Sequence, residues 1–160
     1  METFIRTERL TLATLTIAEW TKVVEGRSER CAPDYPTEGD LVVGRLKLAG
    51  DWPSGEWGPL QVRLSEDGLA IGGVGCKGAP DSDGRVEIGY GLAESARGNG
   101  YATEAVLGLI GWLQERSVRE VIAECDDENA ASIAVLRRCG FSPLDNSDGV
   151  TMWSRALSNS

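Results

Sequence analysis

The stretch "RVEIGYGLAESARGNGYATEAV", residues 85–106, constrains this chain more than any other. Its first eight residues alternate as a strand does, with Val86, Ile88 and Tyr90 on one face and Glu87 on the other. After it, Ala102, Ala105, Val106, Leu109 and Leu113 recur at helical spacing and define an apolar face. Between strand and helix lies a loop almost free of side chains, in which Gly98 and Gly100 flank Asn99 and Arg97 stands before them. The first N–H groups of a helix lack internal partners, and the helix dipole makes that end partly positive. A loop of glycines lets an anion reach those groups, and Arg97 would add a charge-assisted bond. A plain turn joining strand to helix fits the same residues, so the loop alone leaves both readings open.

Other anion-binding loops fit less well. A P-loop needs a lysine after its last glycine, and none follows Gly100. A dinucleotide fingerprint needs three spaced glycines inside a parallel strand–helix–strand unit, whereas the strand before Gly98 belongs to a run of hairpins. The chain has no histidine, which removes Ser-His-Asp and Cys-His triads and histidine metal sites. Cys31, Cys76, Cys125 and Cys139 are far apart in sequence, so free buried thiols are expected and no metal site. With 25 acids against 16 bases the net charge is −9. That balance shows no basic stripe for nucleic acid; it suits solubility and equally attracts a cationic amine. No apolar run approaches the ~20 residues of a membrane span. The first residues lack the regions of a signal peptide, so a cytoplasmic protein without a membrane partner is expected.

The length of 160 residues favours one domain over 1–160. "TERLTLATL" (7–15) reads as a strand, and the capping-box spacing of Thr16 and Glu19 starts a helix at Ile17. Residues 26–57 are rich in glycine, proline and charge, with a helix expected over about 40–48. Two strands joined at "SEDG" form a hairpin, and the turn "APDSDG" (79–84) leads into the strand at 85–92. The glycines at 108 and 111 lie inside the following helix, where close packing on the sheet would explain them. A strand over 120–125 follows, then a helix capped by Asn129 and closed by Gly140, then the strands "FSPL" and "VTMWSRAL". The sum is an α/β (α+β) fold with a mixed, mostly antiparallel sheet of about seven strands flanked by helices.

Arg97, Gly100 and Ala102 match the signature [Q/R]-x-x-G-x-[G/A], and here the chain resembles the GNAT N-acetyltransferase superfamily. "NAASIAVLRRCGF" is similar to that family's N-x-x-[A/S]…G-F segment. "TERLTLATL" and "VEIGYGL" resemble its ribosomal-protein N-terminal, RimL-like branch. The resemblance covers roughly 7–156 and is weakest over 26–57. It implies acetyl-coenzyme A as co-substrate, its pyrophosphate held by Arg97 and the backbone of Gly98, Asn99, Gly100, Tyr101 and Ala102. It implies that the strand bearing Ile88, Tyr90 and Leu92 pairs with the pantetheine arm, in a cleft where strands 85–92 and 120–125 splay apart. Asn129 would reach the same arm, a backbone N–H near Tyr90 would stabilise the oxyanion, and a homodimer is implied, for which the strand around Val150–Trp153 offers a contact.

Acetyl transfer needs a neutral amine, a stabilised oxyanion and protonation of the leaving thiolate. Glu87 is the candidate base, against the plainer reading of a solvent-facing strand residue; Glu56 and Glu66 are other acids within the same argument. Many relatives are expected to carry a tyrosine acid where this chain has Leu136; the RimL-like branch points to Ser132 instead. A small buried serine bonded to the preceding turn fits Ser132 too, and a thiolate leaves without a dedicated acid more readily than an alkoxide does. Trp52 and Trp57, with Asp51 and Glu56, would border the acceptor side, holding a cationic amine or packing as a lid or dimer contact. The acceptor expected is a peptide or small-molecule amine. The alternative is an acyl-coenzyme A-binding or sensor module with little turnover.

Overall fold

In the computed structural model, which describes residues 3–52 and 55–158, the strand expected over 7–15 is shorter, and a further strand precedes it. β1 (Phe4–Arg6) and β2 (Leu10–Ala13) form a short antiparallel hairpin. Thr7 makes the turn: its N–H donates to the Leu10 carbonyl at 2.9 Å and its hydroxyl accepts from the Leu10 N–H at 3.1 Å. A threonine that takes backbone partners locally competes with the ladder, so β2 starts only at Leu10.

Helix α1 (Ile17–Val24) starts at the expected capping box, with both halves formed between Thr16 and Glu19. Helix α2 (Glu38–Ala49) begins before the expected residue 40, because Thr37 and Asp40 form a second capping box there. Gly44 lets α2 lie against α1, since a Cβ there would stand 2.8 Å from Val24 and 3.2 Å from Trp20.

The rest follows in order: β3 (Pro59–Leu64), β4 (Ala70–Cys76), β5 (Arg85–Leu92), α3 (Tyr101–Gln114), β6 (Glu120–Asp126), α4 (Ala130–Arg138), β7 (Ser142–Ser147) and β8 (Val150–Ala156). The sheet has eight strands ordered β1-β2-β3-β4-β5-β6-β8-β7, one more than the expected seven because β1 precedes the expected first strand. β5 and β6 are parallel and all other neighbours antiparallel. They pair only from Arg85↔Glu120 to Glu87↔Ile122, while β5 stays on β4 as far as Leu92, so the expected splay lies beyond Glu87.

Side chains alternate across a strand, so each cross-strand row has one face. Leu12, Val62, Gly72 and Leu92 share a row on the α3 side. There Gly108 permits close packing, since its Cβ would stand 2.7 Å from Thr7 and 3.6 Å from Leu12; Gly111 has nothing within 4 Å, so packing does not explain it. Leu12, Ile71, Ile88, Leu109, Leu113 and Leu136 are buried in the core. Gly73, Gly75, Gly89 and Gly91 occupy the opposite face, under α2.

β8 lies between β6 and β7 with both edges hydrogen-bonded, so Val150–Trp153 offers no free edge for a second copy; the outer strand there is β7. All four cysteines are free. Among the described residues no helix is long and apolar enough to cross a membrane, and no group of ligating side chains could hold a metal ion.

Candidate active site

β5 ends at Leu92, and a short 3-10 turn (Glu94–Ala96) leads into the glycine loop. Gly98 and Gly100 have φ of +82° and +79°, values side-chain-bearing residues rarely adopt. Gly100 is the N-cap of α3 and supplies no side-chain cap. Its carbonyl accepts from the Glu104 N–H at 3.1 Å, while the N–H groups of Tyr101, Ala102 and Thr103 donate to no group among the described residues. Asn99 folds its amide back onto the carbonyls of Ala96 and Arg97, each at 3.3 Å. Arg97 is exposed, with Nε 3.4 Å from the Leu92 carbonyl. A row of unpaired N–H groups at a helix start is an anion cradle in its chemistry.

Sequence reasoning missed Arg9. Its Nε lies 2.7 Å from Glu104 Oε1, its backbone N–H 2.7 Å from Oε2, and its Nη1 2.9 Å from the Asn99 carbonyl. Its guanidinium sits 4.5 Å over the Tyr101 ring. Glu104 also takes the Thr7 hydroxyl. Burial pushes the Glu104 carboxyl up, but the bonds from Thr7 and Arg9 outweigh it and hold the group below its ordinary value. No local pattern announces a contact spanning 95 residues.

Where β5 and β6 part, a cleft opens, lined by Ile88, Gly89 and Tyr90 on one side and Glu124, Cys125 and Asp126 on the other. Asn129 and Ser132 of α4 close one wall. Asn129 caps α4 as expected, its Oδ1 accepting the Ser132 N–H at 3.1 Å. Ser132 Oγ points inward and lies 2.6 Å from Tyr90 Oη, which also donates to the Ser132 carbonyl at 3.2 Å. Burial pushes the Tyr90 phenol up to about 12, against a smaller opposite pull from Ser132. Leu136 is fully buried. Glu87 stands at the neck of the cleft, half-buried, with Lys77 Nζ 3.0 Å from its carboxylate. It lies on the opposite strand face from Val86, Ile88 and Tyr90.

A second hollow lies on the α1–α2 side of the sheet. Gly73, Gly75, Gly89 and Gly91 form its floor, and Trp20, Val43 and Trp52 are among its walls. It shares Lys77, Gly89 and Tyr90 with the cleft, so the two meet at β5. Asp40, 7% exposed, reaches into it from α2, and burial raises its carboxyl above the ordinary value despite the bonds from Thr37. Of the two tryptophans expected near an acceptor, only Trp52 lines this hollow. Trp57 packs edge-on against Trp112, 5.4 Å between ring centres, and Glu56 pairs with Arg116 at 3.5 Å. Both therefore brace the end of α3. Asp51 and Glu66 are exposed.

A mixed sheet that opens between two parallel-paired strands, beside an uncapped helix start, is the architecture of an acetyltransferase. The chain belongs to the GNAT acetyltransferase family, whose domain matches residues 9–142. It is 39% identical over 72 residues to the uncharacterized N-acetyltransferase YjdG of Bacillus subtilis, covering 44% of this chain and 43% of that protein. The chain thus spans less than half the length of that curated relative in the match. An acetyltransferase structure from Agrobacterium tumefaciens superposes with a TM-score of 0.68 at 28% identity, over 96% of this chain and 94% of the other. The structure of RimL, a ribosomal L7/L12 alpha-N-protein acetyltransferase in complex with coenzyme A, superposes with a TM-score of 0.72 at 19% identity, over 99% and 100% of the two chains. That likeness to RimL is one of fold.

Proposed function

We propose that this chain is an acetyl-coenzyme A-dependent N-acetyltransferase, moving an acetyl group to a primary amine by direct attack in a ternary complex. One observation carries the reading: the uncapped cradle at Gly98–Ala102 sits beyond the end of β5, the same strand that parts from β6. A pyrophosphate needs several N–H donors at close range, and the two glycines of positive φ leave them uncovered. Arg97 adds a cation beside it, and Asn99 and Tyr101 set the loop's shape. The edge of β5 freed beyond Glu87 offers the backbone of Ile88, Tyr90 and Leu92 to the amides of a pantetheine arm, with Asn129 at the opposite wall. Coenzyme A bound to a relative of the same fold supports this assignment.

Acetyl-coenzyme A supplies the activated acetyl group as a thioester. The chain's part is to hold the amine against that group and to move two protons. Glu87, at the neck, takes the proton from the incoming amine, directly or through water. The backbone N–H of Tyr90, on the edge turned away from β4, stabilises the oxyanion. As the new C–N bond forms and the C–S bond breaks, Tyr90 and Ser132 deliver a proton to the departing sulfur.

Calorimetric titration with acetyl-coenzyme A and coenzyme A, followed by thiol detection across a panel of amines, tests the reading. Saturable micromolar binding with amine-dependent thiol release supports it. Tight binding with no release from any amine instead fits an acyl-coenzyme A-binding module. Absence of binding overturns it.

A further inference from the structure

Asp40 has half of its carboxylate explained. Oδ2 accepts from the Thr37 N–H at 2.9 Å and from its hydroxyl at 2.8 Å, which completes the capping box of α2. Oδ1 has no hydrogen-bond partner among the described residues, and it lies 2.8 Å from where a Cβ on Gly73 would stand. Only a glycine at 73 leaves that oxygen its space, and the space belongs to the hollow on the α1–α2 face. A carboxylate only 7% exposed, with a free oxygen aimed into an aromatic-walled hollow, is costly unless a cation or donor meets it.

Resting on the acetyltransferase reading, we infer that Asp40 recognises the ammonium group of the acceptor as it enters, before its proton passes through water to Glu87 and the neutral amine attacks, and that the acceptor is a small monoamine with an apolar or aromatic body. The hollow runs from Asp40 to Gly89 and Tyr90, where the cleft between β5 and β6 begins. An amine seated in it lies on the opposite side of that junction from the glycine loop. Its walls, Trp20, Val43 and Trp52, suit an apolar body and give the amides of a peptide few partners. The glycine floor is already engaged in the β4–β5 ladder. Lys77 at the junction is paired with Glu87, so the second cation of a polyamine or amino sugar would meet that closed pair or an indole wall and no free carboxylate.

The test compares phenethylamine, spermidine, an amino-sugar antibiotic and an N-terminal serine peptide as acceptors, in wild type, Asp40→Asn and Gly73→Ala. Asparagine keeps the size of Asp40 and can still accept from Thr37, so α2 keeps its cap while the charge is lost. Alanine at 73 places a methyl against Oδ1 without touching the glycine loop. Phenethylamine is expected to be preferred in wild type. Each variant is expected to raise its KM about 10- to 100-fold, the loss of one charge-assisted bond, with acetyl-coenzyme A affinity unchanged. Unchanged amine KM in both variants, or preference for spermidine, the amino sugar or the peptide, overturns the inference while leaving the acetyltransferase reading intact. Direct calorimetry of phenethylamine on the wild type, with and without coenzyme A, examines the hollow without turnover. No saturable binding in either arm overturns the inference, whereas failure to bind acetyl-coenzyme A strikes the underlying reading.

Discussion

Tyr90 Oη lies 2.6 Å from Ser132 Oγ, so strand β5 and helix α4 are joined across the cleft by a pair of hydroxyls. Helix α4 offers Leu136 where a tyrosine acid would be expected, and strand β5 brings a phenol to the same cleft from the other side. With its pKa pushed to about 12, Tyr90 stays protonated at neutral pH and keeps a proton to give.

Tyr90→Phe and Ser132→Ala are each expected to lower kcat about 10- to 100-fold, within the range of general-acid contributions. The two hydroxyls act as one unit, so the double variant should be little worse than the poorer single one. Steady-state thiol release measures kcat, and calorimetry checks that acetyl-coenzyme A affinity holds. Full activity in Tyr90→Phe would show that the thiolate departs without this acid.

The glycine loop makes a separate prediction. Gly100→Ala forces a side-chain-bearing residue to φ near +79° and sets a methyl 3.4 Å from Arg9 Nη2. The backbone penalty alone is about 1–2 kcal/mol. If the loop relaxes to escape it, the unpaired N–H groups no longer converge, and acetyl-coenzyme A affinity should fall about tenfold or more. Urea unfolding and calorimetric titration report the two effects separately. A loss of stability with affinity intact would remove the loop from cofactor binding.

Arg9 holds that loop from outside the motif through Glu104 and the Asn99 carbonyl. Arg9→Met keeps the length of the side chain and removes its bonds. It is expected to weaken acetyl-coenzyme A binding about three- to tenfold through loss of preorganisation. Glu104→Gln should weaken it in the same direction and less, since an amide can still accept from the Arg9 backbone. The Kd, measured at two salt concentrations, separates loop-holding from direct charge contact: a steep salt dependence lost in Arg9→Met would mean that the guanidinium touches the phosphates itself.

Signals carried within a few residues were legible in the sequence. The capping box at Thr16–Glu19, the Asn129 cap, the glycine loop and the strand at 85–92 depend on local chemistry, and each is found as expected. The hairpin of β1 and β2 was not legible, because Thr7 makes its turn through its own side-chain bonds at the start of an alternating pattern. The Thr37–Asp40 box hid in a stretch dominated by proline, glycine and charge, with aspartate where glutamate is the usual partner. Arg9 beside Asn99, Tyr90 beside Ser132 and Gly73 under Asp40 are juxtapositions made by topology, and single-sequence periodicity carries none of them. Trp57 shows the converse: its neighbours in sequence pointed to an acceptor, while its neighbours in space are Trp112 and the end of α3.

The closed end of the β5–β6 pairing gives the last prediction, a dependence on pH. Glu120 begins the short pairing of β6 with β5, opposite Arg85. The Ser154 hydroxyl and Arg85, whose Nε is 2.6 Å away, hold its carboxyl below the ordinary value. A carboxyl whose pKa is depressed in the fold stabilises the native state above the unfolded value, about 4.3, and loses that contribution as pH falls through the folded value. Asp81, at the turn before β5, is lowered in the same direction by the N–H groups of Arg85 and Asp83. The urea midpoint is therefore expected to hold steady from pH 7 to about 5 and to fall below about 4. Glu120→Gln should lower the midpoint at pH 7 and make the acid decline shallower, leaving the part due to Asp81, Asp34 and Glu104. Equal slopes for wild type and Glu120→Gln between pH 5 and 3 would show that Glu120 has the same affinity for its proton in both states. In that case Arg85 and Ser154 would not be what fixes Glu120 at the closed end of the β5–β6 pairing.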